Sequence, residues 1–174
     1  MPSAAELVDA LTLEVPDFPQ PGILFRDLTP VLADGAALRA VTDRFTDVFD
    51  GGFDLVAGIE ARGFLLAAAA AYAVGAGVLA VRKAGKLPPA TLTEHYELEY
   101  GSAALEIRQE ALQPGTRVLV LDDVLATGGT VEATCALLER AGAVVAGVGV
   151  VLELAGLGGR DRLTGRRVEA IRVV

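Results

Sequence analysis

Residues Val118–Gly142 read VLVLDDVLATGGTVEATCALLERAG. Four aliphatic residues, Val118 to Leu121, run into two adjacent aspartates, Asp122 and Asp123. The small-residue loop Ala126-Thr127-Gly128-Gly129-Thr130 follows, and then apolar positions at helical spacing. A buried strand that turns and restarts as a helix is one unit of a parallel sheet with helical crossovers. Ligands of such sheets settle at the carboxyl ends of the strands, so this strand carries both acids to the ligand-bearing edge. Glycines let backbone N–H groups approach an anion, the threonines add hydroxyl donors, and the helix N-terminus adds a partial positive charge. Together these can hold one phosphate without a lysine. The loop is neither G-x-x-x-x-G-K-[ST] nor G-x-G-x-x-G.

The acids must then face something other than the phosphate. Adjacent carboxylates accept hydrogen bonds from neighbouring hydroxyls, as on a ribose, and suit Mg2+ through its waters. They also favour positive charge developing on a sugar carbon. A sugar phosphate reconciles loop and acids: the loop takes the 5′-phosphate and the acids take the ring. The plainer alternative is a capped helix with two solvated acids.

The elements around this unit follow from pattern. Ser3 and Glu6 form a capping box for a helix from Ala4 to about Leu13. The stretch DFPQPGILFRDLTP has too many prolines to continue it. Asp34 caps a helix whose apolar positions are Leu38, Val41, Phe45 and Phe49. Leu55–Ile59 reads as a buried strand, Gly63–Val74 as a helix and Val78–Val81 as a strand that ends in Arg82, Lys83 and Lys86. Leu87–Tyr100 reads as a mobile excursion ending in a strand. Arg117–Asp122 and Val144–Leu152 read as strands around the helix Gly129–Ala141, and Val168–Val174 as an edge strand. The alternation predicts an α/β fold with a parallel sheet covered on both faces, in one domain over 1–174.

Composition limits the function. The chain is 52% hydrophobic and 22% charged, with net charge −8, which argues against disorder and against a broad attraction to nucleic acid or anionic lipid. Five of fifteen basic residues fall between Arg160 and Arg172, and they read as a solvated tail face. The single cysteine, Cys135, reads as a small core residue and suits a reducing compartment. The N-terminus has no basic leader, so no signal peptide is expected. Gly63–Val81 carries no charge over nineteen residues, but its alanines and Gly75-Ala76-Gly77 read as helix, turn and strand rather than a membrane span.

At Val118–Thr130 the chain resembles the phosphoribosyl pyrophosphate motif of type I phosphoribosyltransferases, a motif that does not choose the base. FPQPGILFRDLTPVL (18–32), GIEARGF (58–64), VRKAGKLP (81–88), YELEYG (96–101) and ELAGLGGRDRL (153–163) are similar to the adenine-specific branch, over nearly the whole chain. The resemblance implies a parallel sheet with flanking helices, a small N-terminal hood within 1–33 and a mobile lid over 84–101. It implies transfer of phosphoribose from phosphoribosyl pyrophosphate to adenine, giving AMP and pyrophosphate with Mg2+, by a cytoplasmic homodimer in purine salvage. No nucleic-acid or membrane partner is implied.

Residue roles follow the same matches. Asp122, Asp123, Ala126, Thr127, Gly128, Gly129 and Thr130 would bind phosphoribose, with Mg2+ carried by substrate near the two acids and no direct protein ligand. Arg62, Arg82 and Lys86 would meet pyrophosphate. Arg62 is suited to paired, charge-assisted bonds from a tight turn, and it is also named catalytic. Position 84 is alanine where some relatives carry a base. Phe25 would stack on adenine while Leu24 and Arg26 read its edge, with Leu154 or Leu152 closing the other face. Glu99 would manage the purine proton and Tyr100 act from the lid. His95, Glu94 and Glu97 read as solvated. Hypoxanthine, guanine or xanthine as the base, a nucleic-acid-binding regulator that keeps the sugar site, and a plain nucleotide-binding module are the competing readings.

Overall fold

The computed structural model describes residues 2–97 and 101–174. Helix α1 (Ala4–Leu11) starts from the expected box: the Ser3 hydroxyl accepts from the Glu6 amide, and the Glu6 carboxylate accepts from the Ser3 amide. It stops two residues short of Leu13, because the chain turns into a hairpin that the prolines conceal. Strands β1 (Leu13–Pro16) and β2 (Leu24–Asp27) pair antiparallel, Val15 opposite Phe25, as a separate two-stranded sheet. Short helix α2 (Thr29–Ala33) leads to α3 (Gly35–Phe49), where the Asp34 carboxylate accepts from the Ala36 and Ala37 amides. Val41, Phe45 and Phe49 of α3 are buried, as their spacing predicts.

The main sheet then builds from β3 (Leu55–Ile59), helix α4 (Arg62–Val74), β4 (Gly77–Lys83), β5 (Thr91–Glu97) and β6 (Ser102–Arg108). It is completed by β7 (Arg117–Leu125), helix α5 (Gly129–Arg140), β8 (Val144–Glu153) and β9 (Val168–Val173). The order is β5-β6-β4-β3-β7-β8-β9. From β4 to β9 the pairing is parallel. At the other edge, β6 runs antiparallel to both β4 and β5, so the expected parallel sheet carries an antiparallel hairpin at one side. That hairpin absorbs much of the expected irregular excursion.

Alternation along β7 divides the core. Val118 and Val120 pack with Ile59, Val131, Cys135 and Leu138 on the α5 face, whereas Leu119 and Leu121 pack with Phe45, Val56, Leu66 and Leu152 on the α3–α4 face. Burial of Cys135 pushes its thiol up to about 11. Helix α4 ends at Val74 with Gly75 in the left-handed region, and β4 begins at Gly77, so the uncharged stretch divides as its sequence suggests. Among the described residues no helix is long and apolar enough to cross a membrane. The outer stripe of α4 has no charge beyond Arg62 and leaves Tyr72 92% and Leu65 57% exposed.

The basic residues near the C-terminus lie at the surface, with the Arg160, Arg162 and Arg172 side chains 46%, 51% and 39% exposed, and they are paired there. Arg160 donates to Glu153 at 2.9 Å, Arg162 to Glu132 at 3.3 Å and Arg172 to Asp9 at 2.6 Å. Arg166 pairs with Glu139, while Arg167 donates to the Val48 carbonyl and lies over the Phe49 ring. Except for Arg160, whose partner Glu153 is seven residues away, each holds a sequence-distant partner.

Candidate active site

Strand β7 extends past the two acids to Leu125, and it positions the site. Asp122 points inward, 8% exposed, and its Oδ1 accepts from the Asp123 amide at 2.9 Å. Burial, and then the neighbouring Asp123 charge, hold the Asp122 carboxyl well above the usual carboxylate range. The two acids therefore differ: one is enclosed and reluctant to ionise, the other faces the cleft.

The turn between β3 and α4 comes unusually close to this pair, and two glycines permit it. A Cβ on Gly63 would stand 2.7 Å from the Leu121 carbonyl oxygen and 3.2 Å from Asp122 Oδ1. One on Gly58 would strike the Gly63 carbonyl and, at 2.8 Å, the Ala67 Cβ. Arg62 thereby reaches over the acids. Its Nη1 donates to Asp123 Oδ2 at 2.8 Å, and its Nη2 lies 3.7 Å from Asp27 Oδ1. The Asp123 bond raises the guanidinium pKa further. Asp27, which sequence reasoning passed over, is held by the Thr29 hydroxyl at 2.6 Å and the Thr29 amide at 2.9 Å. Those two bonds, the hydroxyl first, lower its carboxyl below the ordinary value.

Beyond the acids, Ala126, Thr127, Gly128, Gly129 and Thr130 curl around a cavity of about 90 Å3, which Asp122 and Val124 also line. Gly128 sits at φ +84°, and no side chain caps α5, so the first-turn N–H groups are left for a ligand. Behind the loop stands Gly159: a Cβ on Gly128 would lie 2.6 Å from its carbonyl, and a Cβ on Gly159 would strike the Ala126 carbonyl. The paired glycines of ELAGLGGRDRL were the only sequence sign of this backing. In front, the Thr130 hydroxyl donates to Tyr96 Oη of β5 at 3.3 Å.

On the other side of Asp123, Leu24, Phe25, Arg26 and Leu154 come together with Ile23, Arg62, Val124 and Leu152 around a pocket of about 290 Å3. All four residues nominated for the base are present, and Leu152 joins Leu154 rather than replacing it. Phe25 is braced edge-on by Phe18, with ring centroids 5.2 Å apart. Arg26 lies 3.4 Å from Glu14 across the hairpin.

The basic cluster at the end of β4 lies beside the Arg62 turn. Glu60 Oε2 accepts from the Lys83 amide at 2.9 Å and from Arg82 Nε at 3.4 Å. The Lys83 bond leads in lowering the Glu60 carboxyl, against burial, and the charges of Arg82 and Lys86 also reach it. The Lys86 amide is held from the far side by Glu106 at 2.7 Å. Glu99 and Tyr100 lie outside the described residues. His95 is exposed on β5. Among the described residues no group of three or more His, Cys, Asp or Glu side chains is arranged to hold a metal ion. The acid pair offers a hard-cation donor set that substrate oxygens and waters would have to complete.

A family model described as a phosphoribosyl transferase domain matches residues 31–169. The adenine phosphoribosyltransferase of Clavibacter sepedonicus is 70% identical over 97% of this chain and 88% of its own. The solved adenine phosphoribosyltransferase of Thermoanaerobacter pseudethanolicus superposes with TM-score 0.93 at 43% identity, covering 98% of this chain and 99% of the other. That of Saccharomyces cerevisiae, complexed with D-2,5-dideoxy-2,5-imino-altritol 1,6-bisphosphate and adenine, superposes with TM-score 0.91 at 34% identity, over 97% of this chain and 98% of the other.

Proposed function

The chain belongs to the adenine phosphoribosyltransferase family, and from that premise we propose how its residues divide the reaction. The enzyme transfers the 5-phosphoribosyl group of phosphoribosyl pyrophosphate to adenine, giving AMP and pyrophosphate in purine salvage. One observation supports the division best: the small Thr127–Thr130 cavity, the two acids and the Phe25 pocket follow one another along the end of β7, with Val124 lining both cavities. That sequence of subsites has the order phosphate, ribose, base.

The loop amides and threonine hydroxyls hold the 5′-phosphate, and Asp122 and Asp123 hold the ribose hydroxyls. Phe25, Leu152 and Leu154 sandwich the purine, and β2 backbone at Leu24 and Arg26 reads its edge. Arg62, bonded to Asp123 through Nη1, offers its remaining donors to the diphosphate. Its fork geometry suits that shared role. Arg82 and Lys86 flank the same leaving group.

In the transfer the C1′–O bond to pyrophosphate breaks, the C1′–N9 bond to adenine forms, and the N9 proton passes to a base. The ribose carbon becomes oxocarbenium-like on the way, and Asp123, the acid that faces the cleft, stabilises that charge. Glu99 is assigned the proton and Tyr100 the closing of the cleft, on the strength of the YELEYG match alone. Mg2+ entering with the substrate, near Asp122 and Asp123, would neutralise diphosphate charge.

The working protein is placed in the cytoplasm as a homodimer, with the uncharged outer stripe of α4 as the facing surface. The test of the activity is pyrophosphate release with adenine, hypoxanthine, guanine and xanthine in turn, with Mg2+ present and then chelated. Turnover confined to adenine and lost on chelation is expected. Turnover with hypoxanthine and not adenine overturns the assignment.

A further inference from the structure

Glu106 lies in the middle of β6, opposite Arg82, and is only 4% exposed. A carboxylate so enclosed is costly unless its oxygens are satisfied. Here one oxygen, Oε1, accepts from both the Lys86 and Leu87 amides at 2.7 Å. Gly85, at φ +83°, turns the chain so that its own amide also faces the carboxylate. Three successive N–H groups converging on an anion form a nest of the kind that elsewhere receives phosphate. In this protein the nest is filled from within, so the loop offers a diphosphate its side chains rather than its backbone. Burial alone would raise the Glu106 carboxyl, but the three amides and Arg82 outweigh it and leave it below the usual value.

The loop is gripped from the opposite side as well. Glu60, which leads into the Arg62 turn, holds the Lys83 amide and Arg82 Nε, and it feels the Lys86 charge. Arg82 and Lys86 thus sit on a segment fixed between two carboxylates, one from each neighbouring element. We propose that Glu106 is a positioning residue of the pyrophosphate subsite: by filling the 85–87 amide nest it sets the loop so that Lys86 faces the Glu60–Arg62 turn. This rests on the reading that Lys86 meets pyrophosphate, and the test separates the two.

Three variants are compared with the parent enzyme: Glu106→Asp, Glu106→Gln and Lys86→Ala. Aspartate keeps the charge but withdraws the carboxylate by one methylene, whereas glutamine keeps the reach and one acceptor oxygen. Glu106→Asp is expected to raise the KM for phosphoribosyl pyrophosphate and the pyrophosphate inhibition constant about tenfold, the scale of a small misplacement in a substrate clamp. The adenine KM should stay within about twofold, and Glu106→Gln should lose less than Glu106→Asp. Lys86→Ala should weaken pyrophosphate inhibition by itself. Unchanged pyrophosphate inhibition in Glu106→Asp, beside a weakened Lys86→Ala, overturns the role of Glu106 and leaves the subsite standing. Unchanged inhibition in both removes the loop from the subsite. An equal rise in the KM of both substrates would also refute positioning and mark Glu106 as general scaffold.

Discussion

Replacing Gly63 with alanine adds one methyl group at the point where α4 leans on β7. Two effects oppose each other. Alanine is the better helix former, by about 1 kcal/mol over glycine in a helix interior and less near its start. Against that, the new Cβ would stand 2.7 Å from the Leu121 carbonyl oxygen, part of a central strand, and 3.2 Å from Asp122 Oδ1. The first is backbone and the second a buried carboxylate oxygen tied to the Asp123 amide, so the strain belongs at the upper part of the ~1–3 kcal/mol range for overpacking. The net loss is then about 1–2 kcal/mol, which for a chain of this size lowers the melting temperature by about 2–8 °C.

Function should suffer more than stability, because Arg62 precedes Gly63 and is carried by the same turn. Moving the turn away from β7 lengthens the 2.8 Å contact between Arg62 and Asp123. A displacement of roughly 1 Å can cost on the order of 10²-fold in a reaction governed by positioning. Calorimetric melting, with kcat/KM for phosphoribosyl pyrophosphate and separately for adenine binding, reads both effects. Gly35→Ala is the control, since no heavy atom lies within 4 Å of its Cβ position; it should be neutral or slightly stabilising. If Gly63→Ala melts and turns over like Gly35→Ala, the close approach of the turn to the acids is wrong.

Replacing both Asp122 and Asp123 with asparagine should lower kcat/KM for phosphoribosyl pyrophosphate by about 10²-fold or more while changing adenine affinity far less, measured by steady-state kinetics and calorimetric titration. Cys135 should resist a thiol reagent until the protein is denatured. Its pKa is raised in the folded state, from the ordinary 9.0 to about 11, so its contribution is complete below about pH 9 and is lost as pH rises through about 11. The difference in stability between parent and Cys135→Ala, followed by denaturant titration across that window, should therefore narrow with pH; a constant difference would contradict it. On the homodimer proposed above, Tyr72→Glu should shift the protein from dimer to monomer in sedimentation velocity, and an undisturbed dimer would move the interface off α4.

Strands β3 and β7 and helices α3 and α5 were legible because each carries a local signal: unbroken aliphatic runs, Asp34 before a helical period, glycines at a strand-to-helix turn. The β1–β2 hairpin was not, because Pro16, Pro19 and Pro21 mask two four-residue strands whose side chains are exposed or half-buried. Strand β6 was hidden for a different reason. Leu105, Glu106 and Ile107 are all buried, so it shows no alternation, and a charge stands where a pattern search expects an apolar residue. Phe25 and the Thr127–Thr130 loop were singled out through motifs, whereas Asp27, Gly159 and Glu106 meet partners far away in sequence. The pairs made by Arg162, Arg166 and Arg172 were illegible on the same ground: each partner is supplied only by the fold.

Strands β1 and β2 bond to each other and not to the main sheet. On the proposed division of subsites, substitutions there alter the base pocket without disturbing the register of the strand that carries Asp122 and Asp123. On that division, selectivity and chemistry meet in the hairpin at Asp27, which reaches Arg62, so a graft of residues 13–26 from a relative with a different base preference is the natural unit for re-engineering this enzyme.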